Sequence, residues 1–247
     1  MWHQHFKQIA STQVFLRQNL ALCQQKAQAI LISTACQNAG IGQYGRSWQG
    51  FTNALCFSCT IDQTWIPKTT LPLSIILGLG LLEFLKTYQV FNAQLKWPND
   101  LILQDHKCGG LLVEKQSSTY IVGLGLNWGK ILPDEKVSFA QLKNYVPLPA
   151  GSIFPTQVLA DDDFKTFPAQ IYQYWLDFLK NSAGQFTTNL NLTLQNTPWW
   201  QQGRLVQVAL PENQIKTGIF FGIAADGAAI VAGEKIYTGS LIKLRND

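Results

Sequence analysis

The stretch Lys96–Glu114, KWPNDLILQDHKCGGLLVE, sets two short apolar runs between polar turns and carries a lysine at its start and another near its middle. Leu101-Ile102-Leu103 is too short for a helix. Leu111-Leu112-Val113 follows after a turn at Asp105-His106-Lys107, so the spacing predicts the two strands of a hairpin. Pro98-Asn99-Asp100 adds a turn of its own. Folded this way, the segment brings Lys96 and Lys107 within reach of one site, although a lysine in a hairpin is equally at home in solvent.

Outward from the hairpin, the chain alternates helical and strand patterns. Ser11-Thr12 suit a helix N-cap and precede the amphipathic spacing of Val14, Phe15, Leu20 and Leu22, which predicts a helix to about Ala27. Ala29–Ala35 (AILISTA) reads as a buried strand, Gln37–Thr52 as a glycine-rich loop, Asn53–Ile61 as a strand, and Pro72–Tyr88 as a mostly apolar helix. The block Ala93–Leu126 holds three or four strands. A poorly patterned stretch from Trp128 to about Pro155 is long for a compact domain, which is expected of a segment that covers a site. Helical spacing returns at Ile171, Trp175, Phe178 and Leu179, while Thr187–Trp200 alternates at Leu190, Leu192 and Leu194 without fixing an assignment. From Gly203 onward, five short strands with turn signals predict a small barrel. The expected division is residues 1–199 and 200–247.

Composition narrows the function. The 247 residues are 47% hydrophobic and 14% charged, with a net charge of +4 and no lysine or arginine run to track a phosphate backbone, so duplex nucleic acid is not an expected partner. The N-terminus lacks a signal-peptide pattern, and the apolar run Leu71–Leu82 stops at Glu83, short of a bilayer span. A soluble, cytoplasmic protein with no membrane partner is the expectation. Five cysteines argue against a disulfide framework. Cys56-Phe57-Ser58-Cys59 is a lone CxxC on a predicted strand, whose thiols would face opposite sides and read as core residues rather than metal ligands.

Gly40–Gly45, GIGQYG, matches a dinucleotide fingerprint letter for letter. Its context does not, because the loop runs through Arg46-Ser47-Trp48 into a strand instead of opening a helix. What remains is either a mobile surface turn or a loop whose glycines let backbone N–H groups approach a ligand, with one cation, Arg46, and one large ring, Trp48. Val122–Asn127 (VGLGLN) ends a strand with small residues and an amide that donates and accepts, a pattern shared by ordinary turns.

In order along the chain, Ser11–Gln13 (STQ), Gln37–Trp48 (QNAGIGQYGRSW), Lys96–Glu114, Val122–Asn127 and Gly239–Arg245 (GSLIKLR) resemble the biotin protein ligases, also called biotin–[acetyl-CoA-carboxylase] ligases. The resemblance spans nearly the whole chain. It implies an α+β fold, a central mixed β-sheet flanked by helices of the class II synthetase-like biotin/lipoate ligase type, with a C-terminal SH3-like β-barrel. The implied reaction joins biotin to ATP, giving biotinyl-5′-AMP, and then transfers biotin to a lysine of the biotin carboxyl carrier protein of acetyl-CoA carboxylase. About ten residues precede Ser11, too few for the N-terminal helix-turn-helix of some members, so repressor activity is not expected.

By the same resemblance, Lys107 and Arg46 are the catalytic cations. Ser11, Thr12, Gln13, Gln37, Ile41, Gly42 and Gln43 join Lys107 around biotin. Arg46, Trp48, Lys96, Asn99, Asp100, Lys107 and Asn127 hold ATP, with Asp100 on the accompanying Mg2+. Trp128, Phe139 and Tyr145 are candidates to stack on adenine, and Arg245 to close over the nucleotide. Ile41, Gln43 and Tyr44 stand where the family pattern has arginines. If the loop works through backbone amides these changes are tolerated; if side-chain charge retains the adenylate, it is held less firmly. The alternatives are a lipoate or octanoate ligase, whose apolar substrates do not call for the polar Ser11, Thr12 and Gln37, and a non-catalytic biotin-binding paralogue. A homodimer is possible, and the acceptor's identity stays open.

Overall fold

The computed structural model describes residues 1–48, 50–132, 148–181 and 202–243. A seven-stranded sheet is organised about β9 (Thr119–Asn127), which pairs antiparallel with β5 (Ala54–Asp62) on one side and β8 (His106–Gln116) on the other. Beyond β8 lie β7 (Asp100–Leu103) and β6 (Gln94–Lys96); beyond β5 lie β2 (Ile30–Thr34) and β1 (Trp2–Phe6). Only the β1–β2 pair is parallel, which makes the sheet mixed.

Lys96–Glu114 forms more than one hairpin. Lys96 pairs with Asp100 across the β6–β7 turn, which contains a cis Trp97–Pro98 bond. The β7–β8 turn is Gln104-Asp105, both left-handed at φ 50° and 59°, the backbone of a tight two-residue hairpin. His106 and Lys107 therefore begin a strand rather than bend the chain, which corrects the expected turn and fixes the Lys107 side chain to a sheet.

Sheet faces follow residue parity. One face buries Phe57, Ile61 and Leu124 beneath α2 (Leu73–Thr87) and α3 (Asp163–Asn181). The other packs Ile30, Ile32 and Ile121 against Leu16 and Leu20 of α1 (Thr12–Gln24). Ser11 caps α1 by accepting from the Val14 amide at 3.4 Å. Beyond the end of α1, that face is free to carry a site. Among the described residues no helix is long and apolar enough to cross a membrane.

The glycine-rich stretch is not an unstructured loop. It folds back as a flap through β3 (Gly40–Ile41) and β4 (Ser47–Trp48), joined by one 3-10 turn at Gln43–Gly45. The five strands expected near the C-terminus are present: β10 (Leu205–Ala209), β11 (Ile215–Ile223), β12 (Ala229–Val231), β13 (Glu234–Ile236) and β14 (Ser240–Lys243). They form an antiparallel SH3-like sheet in the order β13-β12-β11-β10-β14. The expected domain boundary and the Thr187–Trp200 stretch lie outside the described residues. Strand β1 had no counterpart in the sequence reading.

Candidate active site

Three glycines clear the floor of the site. In the register of β8 and β9, Gly110 faces Gly125 and Leu112 faces Gly123. A Cβ at Gly125 would come within 2.2 Å of the Trp48 ring, and one at Gly123 within 2.7 Å of Gln13 Oε1. Side chains from α1 and the flap thus lie directly on bare backbone, enclosing a cavity of about 250 Å³.

One end of the cavity is neutral and polar. The Thr12 amide donates to Gln37 Oε1 at 2.8 Å, and the Thr12 hydroxyl donates to the same atom at 3.2 Å. The hydroxyls of Thr12 and Ser58 lie 2.9 Å apart, and Ser58 donates to Gln13 Oε1 at 3.0 Å. Gln13 Nε2 in turn donates to Glu114 at 2.8 Å, and Arg17 pairs with that carboxylate at 2.7 Å. A buried network satisfied this fully fixes its rotamers and presents donors and acceptors in set directions. Beside it, burial pushes the Cys56 thiol up to about 11, so this cysteine stays neutral.

The other end is charged. Asp100 receives Lys107 Nζ at 2.6 Å on one oxygen and Lys96 Nζ at 3.0 Å on the other. Lys96 is 2% exposed and donates also to Ser240 Oγ of β14 at 2.9 Å, so it is enclosed by partners from both sheets. Burial alone would raise the Asp100 carboxyl; the two ammoniums, Lys107 before Lys96, outweigh it and hold it well below the usual carboxylate range. Lys107 keeps an open side, with a third of its side chain accessible and its Nζ 5.6 Å from the Trp48 ring centroid. It is the cation placed to meet an anion in the cavity.

The walls are made by clasps. Asn99 donates to the Leu111 carbonyl at 2.5 Å, and Leu111 N returns 3.0 Å to Asn99 O. Residues 149–151 run along β8, accepting from Lys107 N at 2.8 Å and donating from Gly151 N to Lys107 O at 3.0 Å. Asn127 Nδ2 secures this strap through Gly151 O at 3.0 Å. Among the described residues, Asn127 Oδ1 is buried without a partner, an acceptor that a donor-bearing ligand would satisfy.

The residues expected to catalyse or to bind biotin or ATP all line this one cavity: Ser11, Thr12, Gln13 and Gln37 at the polar end, Ile41, Gly42, Gln43, Arg46 and Trp48 from the flap, and Lys96, Asn99, Asp100, Lys107 and Asn127 from the sheet. Three expected roles fit the geometry poorly. Both Asp100 oxygens are engaged by ammoniums, so it is not an open Mg2+ ligand, and among the described residues no three His, Cys, Asp or Glu side chains cluster as a metal site. The Asn99 amide nitrogen, the group that would face phosphate, is used on Leu111 O. Trp128 is fully buried among Tyr88, Phe154 and Phe167 and does not line the cavity, so the adenine-stacking role does not fall to it. Phe139, Tyr145 and Arg245 lie outside the described residues.

Sequence reasoning missed Ser58, Ser240 and the strap at Leu148 and Ala150. Ser58 was marked by a hydroxyl inside the apolar run of β5. The strap lies within the long stretch expected to cover a site, but its residues were not singled out, and Ser240 carried no local signal because only the tertiary fold brings it in.

Residues 5–130, just over half of the chain, match the model of the family described as "Biotin/lipoate A/B protein ligase family". The bifunctional ligase/repressor BirA of Escherichia coli (strain K12) is 34% identical over 107 residues, which is 41% of this chain and 33% of that protein. A biotin–[acetyl-CoA-carboxylase] ligase of Mycobacterium tuberculosis is 31% identical over 96 residues, 37% of this chain and 36% of that one. These matches span about a third of the length of each relative. Among solved structures, biotin protein ligase from Aquifex aeolicus in complex with biotin and ATP superposes with a TM-score of 0.74 at 22% identity, covering 98% of this chain and 97% of the other. That likeness carries the fold.

Proposed function

The chain belongs to the biotin/lipoate A/B protein ligase family, and from that premise we propose that it activates biotin with ATP and transfers it to a lysine of a biotin carboxyl carrier protein. The observation that carries the reading is a single cavity with a fixed neutral hydrogen-bonding array at one end and the accessible Lys107 ammonium at the other. Biotin has that polarity, a neutral ureido ring joined by an apolar chain to a carboxylate. Lipoate carries a dithiolane, which offers neither an N–H donor nor a carbonyl acceptor to the Thr12, Gln37, Ser58 and Gln13 array, whereas the ureido ring offers both.

In the first step a biotin carboxylate oxygen attacks the α-phosphorus of ATP. The new P–O bond forms as the bond to the β-phosphate oxygen breaks, releasing pyrophosphate and leaving biotinyl-5′-AMP. Lys107 lies between the two anions and offsets their repulsion, with its own position fixed by Asp100. Arg46, from the flap, supplies a planar fork for the phosphates. A magnesium ion accompanying the nucleotide would be held by the nucleotide rather than by Asp100, whose oxygens are taken by Lys96 and Lys107, and would supply charge neutralisation there. In the second step the acceptor's lysine amine attacks the anhydride carbonyl, the C–O bond to phosphate breaks, and AMP leaves as the nitrogen loses a proton. The names of the M. tuberculosis and A. aeolicus relatives support biotin and ATP as substrates.

Incubating the protein with ATP and labelled biotin should give adenylate alone without a carrier domain and labelled carrier with one. Label from lipoate but not biotin would overturn the reading. Lys107→Ala should lower adenylate formation by roughly 100-fold or more, the range for losing one preorganised electrostatic donor. Its far-UV circular dichroism should be unchanged, because Asp100 keeps Lys96 as a partner. Turnover within a few-fold of wild type would remove Lys107 from the chemistry.

A further inference from the structure

Tyr44 stands at the tip of the flap in a conformation that its residue type does not favour. Its φ of 60° and ψ of 30° lie in the left-handed region, where a bulky side chain is strained, and the residue is 46% exposed. Such a residue persists when its surroundings hold it. Here the hold comes from the other end of the chain. The Tyr44 hydroxyl is hydrogen-bonded to Thr238 Oγ1 and accepts from the Gly239 amide at 2.9 Å. The next residue, Ser240, accepts from Lys96, which shares Asp100 with Lys107. Three successive residues, Thr238 and Gly239 in the turn before β14 and Ser240 at its start, thus grip the flap on one side and the charged end of the cavity on the other. Within the flap, the Arg46 guanidinium lies 5.6 Å from the Tyr44 ring centroid, so fixing the ring also fixes the cation expected to meet phosphate.

We propose that Tyr44 is a positioning residue, a phenol latch by which the Thr238–Gly239 turn holds the glycine-rich flap closed over the cavity and slows release of the bound intermediate. The intermediate as biotinyl-adenylate rests on the function proposed above; the latch itself does not. It supplies through two neutral hydrogen bonds a retention that arginines in the flap would supply through charge. Retention should accordingly depend weakly on salt, because neutral contacts are little screened.

The test uses the full chain. Trypsin cleavage after Arg46 in the ligand-free protein reports flap opening, and Tyr44→Phe, which keeps the ring and removes both hydroxyl contacts, should accelerate it roughly tenfold. Thr238→Val, at an exposed position of the other sheet, should accelerate it in the same direction, and Thr238→Ser should restore the wild-type rate. Release of preformed labelled adenylate should quicken by a similar factor in Tyr44→Phe, at low and at moderate salt alike. Cleavage rates unchanged in both Tyr44→Phe and Thr238→Val would overturn the latch. Faster cleavage with unchanged adenylate release would overturn its role in retention. If the wild type makes no adenylate, the proposed function fails, while the cleavage rates still decide the latch.

Discussion

Asp100 is the residue on which the charged end of the cavity depends. It is 5% exposed and neutralises two ammoniums, one of them on Lys96, which is more deeply buried. Removing one partner from a buried ion pair costs about 3–5 kcal/mol, because the surviving charge is left without compensation. Asp100→Asn should approach the lower end of that range, since Lys96 keeps Ser240 Oγ and Lys107 has solvent. At about 2–4 °C per kcal/mol for a chain of this size, the melting temperature should drop by roughly 6–12 °C, more than in Lys107→Ala, where Asp100 keeps Lys96. The pH dependence has a definite sign. The folded carboxyl is held below its ordinary 3.8, so its contribution is fully present above that value and is lost as the pH falls through the lower folded value. In urea titrations from pH 7 to pH 2, the stability difference between wild type and Asp100→Asn should shrink below about pH 4. A constant difference would show that the lysines do not act through the charge of Asp100.

At the scale of elements, strand β1 offers a separate test. His3 Nε2 and His5 Nδ1 both contact Ser33 Oγ of β2, at 2.8 and 2.9 Å. A hydroxyl has one proton to donate, so at least one of the two rings must donate its own N–H to the Ser33 oxygen. Burial lowers both imidazole pKa values, helped at His3 by His5 and Lys165 and at His5 by Lys165 against Asp161. A depressed folded pKa means that the unfolded strand binds protons more readily. Docking of β1 is therefore at full strength above about pH 6.5 and weakens as the pH falls below it. Amide exchange over Trp2–Phe6, corrected for intrinsic rates, should lose protection between pH 7.5 and 5.5, and a His3→Gln, His5→Gln variant should lose this pH response. Equal protection at both pH values in the wild type would exclude the histidines as the cause. This strand was illegible because Trp2-His3-Gln4-His5-Phe6 has no alternation against one apolar face and its partner is parallel and distant in sequence. By contrast, α1, α2, β2 and β5 were legible within a few residues, since cap, period and apolar runs agreed locally. The flap was read as a loop because strands of two residues carry no periodicity; the register of Gly40 with Trp48 is a tertiary result.

Across the whole molecule, the residues that line the cavity stood out because they sit in short segments rich in turns and glycine, but their convergence did not, because it depends on how the two sheets meet. The main hydrophobic core is continuous across that junction: Val208, Phe220 and Val231 of the C-terminal sheet belong to the same buried cluster as Trp97, Ile75 and Leu101 of the large one. At its centre Trp97 donates from Nε1 to the Gly227 carbonyl at 2.9 Å, one residue from Lys96 and three from Asp100. Gly227 holds φ at 80°, and a Cβ there would lie 2.2 Å from Pro72 Cδ at the head of α2. Gly227→Ala therefore meets two penalties, a left-handed backbone and a collision with a ring that cannot swing aside. Together these should cost about 2–4 kcal/mol. The relief open to the chain is for the 224–228 turn to move away from Pro72, taking the Trp97 hydrogen bond and then the Ser240 contact to Lys96 with it. The variant should melt earlier and also release bound nucleotide faster, although residue 227 does not line the cavity. Calorimetry and a nucleotide off-rate on the same preparation separate the outcomes. Lowered stability with an unchanged off-rate would mean that the C-terminal sheet is held to the large one without shaping the charged end of the site.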